Sequence, residues 1–255
     1  MAGLLIASTG TGGAFILNGL SYVAVIIALS FMKVNLYVPK VETRPLVAIQ
    51  QGLSYCFTHP VIRILVIFAG INSIFGWSYT TIMPLIAKKQ FHLEAGGLGY
   101  LYAFTGMGAL TATLLISAFS KKISALVFIL GGNTLFALSI VLFSLSTQRF
   151  WAHSFLFLSG FGLISSASTM NSTIQRIVKP EFRGRVMSIY VLMFIGMVPL
   201  GNLQIGFVSE HLGTSAAIQI GASIVFLFGT VLFFYRNRII SKYDLYRKAS
   251  MDIDV

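Results

Sequence analysis

Long apolar runs separated by short polar turns set the pattern of this chain. The runs cover residues 14–32, 64–87, 96–119, 123–145, 151–174, 186–208 and 215–235. Each is about 20 residues long, enough at ~1.5 Å rise per residue to cross a hydrocarbon core of ~30 Å. The turns between them include Lys88-Lys89-Gln90, Lys121-Lys122, Gln148-Arg149, the basic island Ile177–Ser188 and Glu210-His211. The pattern predicts an all-α membrane protein with about seven transmembrane helices. Residues 1–7 read as a short apolar stub, and Ser8-Thr9-Gly10-Thr11-Gly12-Gly13 as a turn.

Residues 33–60 break this rhythm as the longest hydrophilic interval. Thr43 suits an N-cap and Pro45 an early helical position, after which Leu46, Ile49, Leu53 and Phe57 recur at helical spacing. They predict a short amphipathic helix that ends at His59-Pro60 and lies either on the membrane surface or packed beneath the bundle.

Composition agrees with the pattern: 56% of residues are hydrophobic and 10% charged, with a mean hydropathy of +0.85. A net charge of +11 would point to nucleic acid in a soluble protein. Here, placing residues 33–60 in the cytoplasm puts fifteen of the 18 Lys and Arg on that side and leaves Lys88, Lys89 and Arg149 outside. This is a positive-inside distribution; it predicts a cytoplasmic C-terminus and removes the need for a nucleic-acid partner. Residues 1–11 lack the basic segment of a secretory signal.

Candidate chemistry is sparse. The single Cys56 excludes an internal disulfide, and His59, His92, His153 and His211 are scattered beside turns, so no metal site is expected. Every Asp and Glu lies outside the runs, and no Lys or Arg sits deep within one. That argues against an intramembrane hydrolase or proton relay in this chain. We expect no enzyme and no cofactor.

Neutral polar groups do recur. Ser165, Ser168, Ser172 and Gln175 share one helical face with Asn171 adjacent. They read either as a cavity wall or as interhelical contacts of ~0.6 kcal/mol each. A second run holds Asn72-Ser73, Gly76-Trp77, Tyr79-Thr80-Thr81 and Pro84, where Gly and Pro favour an interruption beside a cavity. Gly99, Ala103 and Gly106 share a face suited to close helix approach, and Pro199-Leu200-Gly201 predicts a kink. The candidate substrate-lining set is Asn72, Trp77, Tyr79, Ser168, Asn171 and Gln204. Arg183 and Arg185 are topology anchors that would also cap neighbouring helices or pair with Glu181 in gating.

Several stretches together resemble the major facilitator superfamily, in the branch of the enterobactin exporter and macrolide-efflux-like transporters. They are Ala14–Tyr22 (AFILNGLSY), Gln51–Tyr55 (QGLSY), His59-Pro60, Pro84, Gly97–Ala103 (GLGYLYA) with Gly106 and Gly108, Ile174–Ser188 (IQRIVKPEFRGRVMS) and Pro199-Leu200-Gly201. The resemblance implies that the chain is the C-terminal half of a twelve-helix transporter. Residues 1–32 would hold a stub of the fifth helix and the sixth helix. Residues 33–60 would be the cytoplasmic loop joining the halves, 61–235 a six-helix bundle of two inverted three-helix repeats, and 236–255 a cytoplasmic tail. It further implies a bacterial inner-membrane permease that exports a small amphipathic molecule, a siderophore or drug, by proton coupling. Its partners would be the lipid bilayer, the substrate and a missing N-terminal half. The competing expectation is a truncated membrane protein that transports nothing and acts as a binding or assembly partner.

Overall fold

The computed structural model describes residues 2–32, 45–93 and 95–235, and its helices follow the apolar runs. They are α1 (Ala2–Ser30), α2 (Pro45–Thr58), α3 (Pro60–Ile71), α4 (Tyr79–Lys89), α5 (Ala95–Phe119), α6 (Ala125–Leu145), α7 (Arg149–Ile177), α8 (Arg183–Val191), α9 (Val198–Leu212) and α10 (Thr214–Phe234). Among the described residues six helical spans are long and apolar enough to cross a membrane: 60–89, 96–119, 125–145, 149–177, 180–212 and 214–234. A shorter apolar stretch, Phe15–Ser30, belongs to α1. The protein is an all-α membrane protein.

One expectation fails in α1. The helix runs unbroken through Ser8–Gly13, which the residue types had marked as a turn. A helical glycine costs about 1 kcal/mol relative to alanine, whereas an unsatisfied backbone group in an apolar setting costs several. Keeping the helix is the cheaper choice. The Thr43 cap, Glu94 and the tail from Arg236 lie outside the described residues.

Two spans are not continuous α-helices. A π-helical turn, Asn72–Trp77, joins α3 to α4, and another, Leu192–Gly196, joins α8 to α9. Pro199 stands at the start of α9 and lacks the N–H that would bond back toward Ile195, so the ladder widens just before it. The expected kink therefore takes the form of a π turn on the N-terminal side of the proline. In the first span, the Asn72 side-chain amide donates to the Phe68 carbonyl and Ser78 Oγ donates to the Ile74 carbonyl. These bonds engage one carbonyl oxygen before the turn and one within it.

The π turns separate two layers of the core. Toward one end of the bundle, Tyr79, Met83, Ile86, Phe136, Phe143, Leu156, Ile205 and Val225 pack together. Toward the other, Ile62, Phe68, Leu130, Met170, Ile174, Val186 and Tyr190 do so. Helix α7 is central and packs along both α5 and α6.

Glycines set that close packing at several helix crossings. A Cβ at Gly108 would collide with the Phe157 carbonyl, and one at Gly160 with that of Thr105. A Cβ at Gly132 would come within 2.7 Å of the Gly162 carbonyl. Gly106, expected at a tight seam, faces open space. The α9–α10 turn uses Gly213 at φ +87°, a conformation that strains any residue with a side chain.

Helix α2 forms as the spacing predicts, and one of its faces docks on α8. Cys56 is buried, and a Cβ at Gly52 would meet Arg185 Cβ at 3.0 Å. The residues that signalled the helix, Leu46, Ile49, Leu53 and Phe57, all remain exposed. Helix α2 is therefore packed on one face and bare on its apolar stripe.

Candidate functional site

Polar side chains gather where α4, α5 and α9 meet. Thr81 Oγ1 donates to Asn202 Oδ1 at 2.6 Å, linking α4 to α9 across the bundle surface. One turn earlier, the Trp77 ring stands edge-on to Phe194, with centroids 6.2 Å apart and planes at 66°. Thr80 Oγ1 donates to the Trp77 carbonyl at 2.9 Å, and the Tyr102 hydroxyl of α5 donates to the Thr80 carbonyl at 3.1 Å. Three spans thus contribute to one neutral patch: Trp77, Thr80, Thr81, Tyr102, Phe194 and Asn202.

Local structure explains why these side chains converge. The π turns at 72–77 and 192–196 lie side by side, so the wider turn of each span shifts its following residues around the axis. Gly201 permits the approach, since a Cβ there would sit 2.6 Å from the Ile74 carbonyl. Trp77 and Thr81, four residues apart, then share a face of the span, with Phe194 and Asn202 on the opposing span.

Depth gives the patch meaning. Trp77 is about 18 Å along the helix from Lys89, and Asn202 about 15 Å from Leu212, which places both near the middle of a ~30 Å core. Trp77, Thr81 and Tyr102 are nevertheless exposed. Unpaired donors at that depth are costly against lipid, a cost that a water-filled cavity or another protein surface would remove. Trp77 Nε1–H and the Asn202 amide N–H groups have no protein acceptor there. The patch offers donors and aromatic faces but no charge, and no cluster of potential metal ligands occurs among the described residues.

The expected lining residues divide. Trp77 is in the patch. Asn72 is buried on the inner side of its π turn, and its amide serves the Phe68 carbonyl. Tyr79 is 2% exposed and packs on Phe136. Neither reaches the open face, since both side chains are buried against the bundle interior. Gln204 follows Asn202 by two residues, which turns it about 200° away, and its Oε1 is buried without a partner.

Ser168 and Asn171 form a second strip on α7, where Gln175 donates to Asn171 Oδ1. Ser165 is buried instead. Thr81, Tyr102, Phe194 and Asn202 were not singled out as lining residues. Asn202, a carboxamide in mid-run, was the one clear signal among them. A surface groove of about 360 Å³ lies elsewhere, between α6 and α10; its lining is apolar apart from Ser223.

At the basic turn, Arg185 Nη1 donates to Gln51 Oε1 at 2.7 Å, and its guanidinium lies 5.6 Å from the Phe182 ring centroid. Tyr55 stacks on that ring at 4.6 Å. Arg183 is exposed, and the expected pairing with Glu181 does not form. His59 accepts a bond from the Ile62 N–H at 3.4 Å as the N-cap of α3, and its burial lowers its pKa from 6.5. Burial pushes the Cys56 thiol up to about 11. His153, expected beside a turn, lies near the start of α7 with its ring against Phe104.

A family model described as transmembrane secretion effector matches residues 1–253. The Staphyloferrin A transporter of Staphylococcus aureus (strain NCTC 8325 / PS 47) is 30% identical over 170 residues, which is 64% of this chain and 40% of that relative. The match therefore spans less than half of the relative's length.

Proposed function

The chain belongs to the transmembrane secretion effector family of the major facilitator superfamily, and from that premise we propose that it is the substrate-contacting bundle of a permease. The cargo is a small amphipathic molecule of the siderophore or drug-like class, moved outward across a bacterial inner membrane by proton coupling. The observation that carries this reading is the uncharged patch of Trp77, Thr81, Tyr102 and Asn202 at mid-membrane depth. Neutral donors recognise carbonyl and hydroxyl oxygens, and Trp77 and Tyr102 supply apolar faces.

In this reading residues 33–60 join two halves, 61–235 form the bundle of two inverted three-helix repeats, and the C-terminus is cytoplasmic. A second helical bundle closes over the patch, since alternating access needs two bundles around one site. The similarity to the Staphyloferrin A transporter supports a siderophore as the first substrate to try.

The test is export from cells and from proteoliposomes carrying the complete gene product and its partner bundle. Staphyloferrin A and a panel of hydrophobic drugs serve as cargo. Export that is lost in Trp77→Ala and Asn202→Ala, with membrane insertion intact, supports the reading; export indifferent to both overturns it.

A non-transporting membrane protein that only binds a partner is the second reading. It is favoured by the slight burial of the 96–119 and 180–212 spans, which leaves broad apolar faces for another protein. Partner binding without cargo movement would select it.

A further inference from the structure

We infer that α2 and the α7–α8 turn together form a docking surface for an anionic phospholipid. The inference rests on the membrane-crossing reading of the bundle and not on transport.

Two features of different chemistry meet at this corner. The first is the stripe Leu46, Ile49, Leu53 and Phe57, exposed by 81, 56, 40 and 46%. Spacings of three and four residues align these side chains on one face of α2. Pro60 begins the membrane-crossing span only two residues after α2 ends, so α2 sits at the mouth of that span. Its bare apolar face is therefore held where the hydrocarbon begins, as in interfacial helices.

The second feature is a set of cations. Arg176 in the last turn of α7, Lys179 in the connection and Arg183 at the start of α8 are all exposed. The one acid within the turn, Glu181, pairs with none of these three. Cations near a membrane surface each attract anionic lipid, and guanidinium groups match phosphate geometry.

The contacts of α2 hold the two features together. Gln51 engages Arg185, Tyr55 stacks on Phe182 at 4.6 Å, and the Lys179 N–H points to the Tyr55 hydroxyl at 3.5 Å. Each contact joins α2 to the α7–α8 segment. Arg185 is occupied in this clamp and is not part of the lipid set. A lipid satisfies both features at once, with its phosphate on the cations and its acyl chains along the stripe. An acidic soluble protein would meet the cations and leave the stripe uncovered.

Cys56 provides the readout, because it is the only cysteine and is buried on the packed face of α2. The full chain is reconstituted in vesicles of phosphatidylcholine, or of phosphatidylcholine and phosphatidylglycerol in equal parts, and alkylated with a maleimide. Lipid bound across α2 and the turn disfavours lifting of α2, so phosphatidylglycerol slows Cys56 labelling. Each cation removed should weaken the effect about fivefold.

The R176Q/K179Q/R183Q variant then labels alike in both vesicles, at the parent's phosphatidylcholine rate. R176K/R183K keeps the lipid effect, which guards against misfolding as the cause. Equal parental rates in the two vesicles would overturn the inference. So would retention of the full effect by the Gln variant. Protection by soluble glycerol phosphate in phosphatidylcholine vesicles would also overturn it, because the site would then bind free anions. A failure of export assays leaves this outcome untouched, since labelling needs no cargo.

Discussion

Asn202 and Thr81 make the side-chain hydrogen bond at the centre of the candidate face, and they contribute to it differently. Asn202 is held by Thr81 at 2.6 Å, which fixes its carboxamide and leaves its amide donors open. Replacing Asn202 with Ala removes those donors and should raise the half-saturating cargo concentration about fivefold, the worth of one hydrogen bond of ~1 kcal/mol. Thr81→Val should act in the same direction and more weakly, because it frees the carboxamide without deleting it. Concentration-dependent uptake into everted vesicles would check both. His59 carries a separate, pH-dependent prediction. Burial lowers its pKa below 6.5, so above that value it is neutral in both folded and unfolded states. As pH falls through 6.5 the unfolded chain takes up the proton first, and stability decreases toward the folded pKa. Thermal unfolding in detergent should show a midpoint that drops between about pH 7 and pH 5, with a flatter profile in His59→Asn, which keeps an N-cap acceptor.

Elements were more legible than sites, and the reason lies in what each depends on. The spans follow from hydropathy over about 20 residues, a local property, so α5, α6, α7 and α10 begin and end within about three residues of the apolar runs. The helix α2 was visible in four apolar residues, yet its packing face proved to be Gly52, Tyr55 and Cys56, with the apolar stripe left bare. In a membrane protein apolar spacing does not say which face meets protein, because lipid competes for the same side chains. The patch was legible only in part: Trp77 stood out, while Tyr102 and Phe194 come from distant stretches that only the helix packing brings together. The π turns also shift phase, so a face counted at 3.6 residues per turn goes astray beyond Asn72. Helix packing itself is open to test at Gly108. Gly108→Val would drive a side chain into the α7 backbone, an overpacking cost of 1–3 kcal/mol or more, and should lower the unfolding midpoint markedly.

At the scale of the whole molecule, the least-buried spans flank the patch. The windows at 96–119 and 180–212 are each 17% buried, against 61% for 60–89. Helix α5 contributes Tyr102, and the 180–212 span contributes Phe194 and Asn202, so both sides of the opening are under-covered. A second bundle seated on α5 and α9 would cover those faces and enclose the patch in one step. Gly106 separates this idea from simple misfolding. Its Cβ direction is empty, unlike that of Gly108 two residues later. Gly106→Trp should therefore leave insertion and thermal stability of this chain closer to the parent value than Gly108→Val does, since a Cβ there meets no atom within 4 Å. On the same face, the indole would hold any covering helix away, because small residues set the closest approach of membrane helices. Co-purification of the partner bundle and export should both fall, while Gly108→Val loses stability first. If Gly106→Trp retained full partner binding and full export, α5 would be a lipid-facing helix, and the covering bundle would have to reach the patch along α9 alone.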